Sequence, residues 1–163
     1  MREQTEISLV KKQPHLFHAS ILNAYGIHSK NETSEHDEDY RFRRGFKESN
    51  FFNCGEGWLP IIAAFAQNME QIQYEYDTSK PEEDKDSENE SVRINGAVNH
   101  QYRLWIMVDT PSSIDDILLK KIKLLQEFAS AMSGFICEVC GVPVKEKDLD
   151  GHVKCAVCKC RDE

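Results

Sequence analysis

The sequence predicts an α+β fold: two main helices packed on a small antiparallel sheet, with a C-terminal tail organised by paired cysteines. Three observations lead there. Apolar residues recur every three to four positions from Trp58 to Tyr76 and again from Ile114 to Met132, the spacing of one helix face. Between these stretches Tyr102, Leu104, Ile106 and Val108 alternate with Arg103, Trp105 and Met107, the period of a strand. Five of the six cysteines fall in the last 27 residues.

In chain order, residues 3–13 suit a short helix that Pro14 ends. Cys54-Gly55-Glu56-Gly57 then leads into the first long helix. Its buried face is Trp58, Ile61, Ile62, Phe65, Met69, Ile72 and Tyr76, and Pro60 sits in the first turn, where its missing N–H costs nothing. Residues 77–91 hold seven acids and two lysines between Asp77 and Glu90, too polar and self-repelling to order, and are expected to be a disordered acidic loop. A β-hairpin is expected next, with Asn95-Gly96 as its turn dipeptide. The second long helix follows, capped by Thr110 or Ser112, with Asp115 and Asp116 at its positive end. Ile114, Ile117, Leu118, Leu125, Phe128, Ala129 and Met132 form its expected buried stripe, and Gly134 ends it. These elements place a core domain over residues 1–134 and a ribbon over 135–163, continuous with the last core helix.

The tail carries the strongest signal. Cys137-x-x-Cys140 and Cys155-x-x-Cys158 stand 14 residues apart. Each pair can reach one ion from a tight knuckle, and two knuckles complete a tetrahedron, the pattern of a zinc ribbon. Gly141 permits the sharp turn after the first knuckle. So short a segment cannot build its own core, and Zn2+ binding of roughly 10–16 kcal/mol would decide whether it folds. Four thiolates close the metal's shell, which points to a structural site. His152 and Cys160 are the rival ligands.

The net charge is -8. An acidic chain is poorly suited to gripping phosphates non-specifically. No stretch reaches the roughly 18 apolar residues of a membrane span, and the N-terminus lacks the apolar core of a signal peptide. The expected location is the cytoplasm, where clustered cysteines mean metal rather than disulfides. Two further features have double readings. Arg41, Arg43, Arg44 and Lys47 interleave with Phe42 and Phe46, a pattern for nucleic-acid or partner contact, or an exposed strand with its aromatics turned inward. Cys54 precedes a helix N-terminus, where a thiol can become nucleophilic, or it is a small buried apolar residue.

Several segments together resemble a family of small phage and prophage proteins: Pro14-His15-Leu16-Phe17, Cys54-Gly55-Glu56-Gly57-Trp58, Tyr102-Arg103-Leu104-Trp105, and Cys137-Glu138-Val139-Cys140-Gly141 with a second knuckle behind it. The resemblance runs in order along most of the chain and departs from it at residues 77–91 and at Cys160. It implies a phage-encoded accessory protein and carries over the zinc ligands Cys137, Cys140, Cys155 and Cys158. No catalytic set emerges. The expected function is a non-enzymatic protein-interaction module that binds or inhibits a host defence factor. Nucleic-acid binding through Arg41, Arg43 and Arg44 with the helix face of Lys120, Lys121 and Lys123 is the alternative, and a cysteine-dependent enzyme using Cys54 is the second.

Overall fold

The computed structural model describes residues 2–27, 51–79, 91–144 and 153–159. The Arg41, Arg43, Arg44 and Lys47 stretch, residues 80–90, His152 and Cys160 lie outside the described residues. The architecture mixes helices with a three-stranded sheet. Helix α1 (Arg2–Lys12) stops ahead of Pro14, as the missing N–H requires. A 3-10 turn at Pro14–Leu16 leads into α2 (Ala19–Ala24), whose first turn is capped by the His18 imidazole accepting from the Ser20 amide.

Strand β1 (Phe52–Asn53) precedes a 3-10 turn at Glu56–Trp58 and helix α3 (Leu59–Ser79). Every residue of the periodic face read from the sequence of this helix is buried except Ile61, which packs partly against the core. Asp77, Thr78 and Ser79, read as the start of the acidic loop, are helical. The Thr78 and Ser79 hydroxyls donate to carbonyls of the preceding turn, so the last turn closes on itself despite its polarity.

The sheet is mixed rather than purely antiparallel. β2 (Arg93–His100) and β3 (Arg103–Asp109) form the antiparallel pair, while β1 runs parallel to β2 on its other side. The expected hairpin exists, but its turn is Gln101-Tyr102, both at positive φ (49° and 60°). Asn95-Gly96 instead lies inside β2, at a register shift between Ile94 and Gly96. There Gly96, at φ 147°, lets the Phe51 carbonyl approach and bond the Ala97 amide at 2.8 Å. The same backbone freedom that serves a turn serves a bulge, so the dipeptide alone does not choose between them.

Helix α4 (Asp116–Ser133) begins later than read from the sequence. Its cap is Asp115, whose carboxylate accepts from the Ile117 and Leu118 amides at 2.7 and 2.8 Å, not Thr110 or Ser112. It lies against both α3 and β3 and supplies hydrogen bonds to β3: Gln126 donates to the Ile106 carbonyl at 2.8 Å, and the Leu104 amide donates to the Ser133 hydroxyl at 2.9 Å. In the other direction Arg103 donates to the Ser130 and Ala131 carbonyls at the negative end of the helix. The expected stripe is only half correct. Leu118 and Ala129 are buried and Ile114 and Leu125 partly so, whereas Ile117, Phe128 and Met132 are exposed; Ile122, outside the expected stripe, is buried. Apolar residues cover more of this helix than the core can use. Among the described residues no helix is long and apolar enough to cross a membrane.

Candidate metal centre

After Gly134 the chain turns into the first knuckle. Ile136 bridges Pro143, the Val144 amide donates to the Phe135 carbonyl, and the Cys137 amide donates to the Val142 carbonyl. This short hairpin is closed by the Gly141 amide on the Cys137 carbonyl at 2.9 Å, with Gly141 at φ 77°. The second knuckle runs into α5 (Ala156–Lys159), where the Lys159 amide reaches the Cys155 carbonyl at 3.0 Å. A bond from the Glu138 amide to the Val153 carbonyl ties the two knuckles together.

The Sγ atoms of Cys137, Cys140, Cys155 and Cys158 all lie within 4.8 Å of one another, and those of Cys140 and Cys155 are 3.6 Å apart. Four sulfurs each ~2.3 Å from a tetrahedral ion stand about 3.8 Å apart, so the cluster has the size such an ion requires. The four thiols are not joined as disulfides. Their protons are shared unequally. Cys155 is held down to about 7, first by the Cys158 backbone. Cys158 is pushed up to about 12, chiefly by hydrogen bonding with Cys140. Burial raises Cys137, yet backbone groups of Cys155, Cys140 and Val139 hold it below the ordinary thiol range. Backbone groups directed at sulfur are what a bound thiolate needs, and four such donors can hold a metal ion. Cys137 and Cys158 are buried, while Cys140 is exposed, so the ion would sit at the surface with its inner side sealed.

What anchors this cluster is the Cys54–Trp58 turn. The Gly57 amide donates to the Glu138 carbonyl at 2.8 Å, and the Trp58 indole N–H donates to the Ile136 carbonyl at 2.9 Å. Trp58 is completely buried. A Cβ on Gly55 would overlap the Glu138 backbone, and one on Gly57 the Cys137 carbonyl and the Gly141 amide. The two glycines are what allow two backbones to touch. On the other flank Asn99 of β2 donates to the buried Glu138 carboxylate at 2.9 Å. Thus the two cysteine-glycine segments, 83 residues apart as Cys54 and Cys137, meet in space. Spacing along the sequence ties the tail only to the long helix before it and does not reveal this contact. Its signal was the pair of glycines flanking one acid ahead of a tryptophan.

No family model matches the chain, and neither does any curated protein or solved structure.

A cleft of about 480 Å³ opens beside the joint, with Cys54, Glu56, Asn99, Glu138 and Lys154 on its walls. Cys54 is only 6% exposed. None of the described histidines lines that cleft: His15 lies beside Glu70, His18 caps α2, and His100 packs edge-on against Trp105.

Proposed function

We propose that the chain is a non-catalytic protein-interaction module whose tail is braced by one structural zinc ion. The observation that carries this reading is the four-sulfur cluster docked on the Cys54–Trp58 turn. Four soft thiolates at tetrahedral spacing favour zinc or iron over hard, oxygen-seeking cations, and a pair of knuckles supplying four cysteines is foremost a zinc site. With all four positions taken by protein, no position is left for water or substrate, so the ion stabilises rather than reacts. The resemblance to small phage proteins adds the expectation of a host protein as partner, and that part rests on the resemblance alone.

Elemental analysis of the reduced protein tests the metal: one zinc per chain supports the reading, and none, or iron in its place, overturns it. Affinity capture from the natural host tests the module. The expected result is one partner at stoichiometric amount, lost when Cys137 and Cys140 are replaced by serine. Recovery of background proteins alone, or capture unaffected by the double substitution, removes the proposal.

A further inference from the structure

Helix α4 is apolar on two faces. Leu118, Ile122 and Ala129 face the core and are buried. A second row consists of Ile117, Lys121, Leu124, Phe128, Ala131 and Phe135. It advances by alternate steps of four and three residues, the spacing of a seam between two helices. Ile117, Leu124, Phe128 and Phe135 are 68, 65, 63 and 63% exposed, and Met132 beside them is 38% exposed. Phe135 follows the helix's cap at Gly134, in a turn that its amide closes on the Met132 carbonyl at 3.0 Å, and it joins the row by its spacing in the chain.

We propose that this row is the interface of a symmetric dimer, in which α4 of one copy lies antiparallel to α4 of a second. The row is self-complementary. An antiparallel pair turned about the level of Gln126 sets Ile117 of one copy opposite Phe135 of the other, Lys121 opposite Ala131, and Leu124 opposite Phe128. All three pairings share that one midpoint, so a single two-fold axis satisfies them together, as an isologous interface requires. Lys121, the only charged member of the row, is already paired with Glu75 of α3 and meets an alanine across the axis. No like charges are brought together within the row.

The area is sufficient. At ~200 Å² for a fully exposed large apolar side chain, the four strongly exposed residues and Met132 present about 600 Å² per copy. Two copies would bury roughly 1,200 Å², the lower end of specific, stable interfaces. A patch of about 600 Å² stands at the upper end of what a monomer leaves in water, and patches of that size mark interaction sites. The inference does not depend on the metal or on the proposed partner, since it uses only α4 and its immediate extension.

Light scattering and sedimentation velocity across the micromolar range test it. The wild-type protein is expected at twice its 18.8 kDa mass. Leu124→Lys and Phe128→Glu, both at exposed positions, should each weaken dimerisation by about tenfold or more, as loss of a central apolar contact does, with metal content unchanged. The double variant carrying both should regain the dimer, because position 124 of each copy faces position 128 of the other. A wild-type monomer throughout, which would leave the row to some other partner, overturns the proposal. So do irregular aggregates, a dimer indifferent to either single change, or a double variant that stays monomeric.

Discussion

Gly57 has room for nothing but hydrogen. Its backbone touches the first cysteine knuckle, and its amide is bonded to the Glu138 carbonyl. Gly57→Ala would drive a methyl group into backbone atoms that cannot rotate away. The expected cost is about 1–3 kcal/mol, the range for overpacking a tight site. A lowered melting temperature and faster metal loss to a chelator would record it. Trp58→Phe is the gentler probe of the same joint. It keeps the buried ring but removes the N–H that satisfies the Ile136 carbonyl, and should cost roughly 1–3 kcal/mol by leaving that oxygen unpaired. If either variant melts like the wild type, the joint is not holding the tail. Cys54 is buried beside the joint, and among the described residues no histidine lines the cleft it borders.

At the scale of the element, α4 shows how a cap and a pattern divide the work. Asp115 satisfies two amides of the first turn with one carboxylate and adds a negative charge at the positive end of the helix. Asp115→Ala should therefore cost about 0.5–2 kcal/mol, read by denaturant midpoint, whereas Ser112→Ala should leave it unchanged. A reversal of that order would restore the earlier cap read from the sequence. The buried face of α3 was legible because its apolar residues occupy one narrow arc and stop there. That of α4 was not, because its apolar arc is wider than the surface covering it, and periodicity cannot say which half meets the core. In the hairpin the sequence pattern was right about the strands and wrong about the turn. Alternation from Tyr102 to Val108 survives any register, but the turn follows from how β2 pairs, and Gly96 was needed for the close approach of Phe51.

For the whole molecule the decisive coupling is between tail and core. The tail contributes Val153 to the main hydrophobic cluster and accepts hydrogen bonds from Gly57, Trp58 and Asn99. Removing the metal should release the tail while α1 to α4 persist. Near-ultraviolet circular dichroism would lose part of the Trp58 signal on chelation, and far-ultraviolet intensity would change little. Complete unfolding on chelation would show that the core depends on the ion. Acid should have the same effect as a chelator, because protons compete for the thiolates and binding releases them. The sign is fixed: affinity falls as pH falls. In the metal-free chain Cys155 is the thiol most ready to ionise near neutrality, since its acidity is held to about 7. The stabilisation this gives is complete above the ordinary thiol value and is lost as pH falls through about 7. Release of metal that is independent of pH between neutral and mildly acidic buffer would contradict thiolate ligation.

The sequence by itself determined the mixture of helices and sheet, the inner face of α3, the alternating strand β3 and the four cysteines that can hold an ion. Each of these rests on spacing along the chain, and spacing is a local property that survives whatever the chain does elsewhere. Only the tertiary structure decided that β1 adds a parallel strand, that Asn95-Gly96 is a bulge, and that α4 shows an apolar row to solvent. It alone brought Gly55, Gly57 and Trp58 against the knuckle of Cys137 and Cys140. Those features depend on which surfaces meet across tens of residues, and a contact between distant segments leaves no period in the sequence for either partner to reveal.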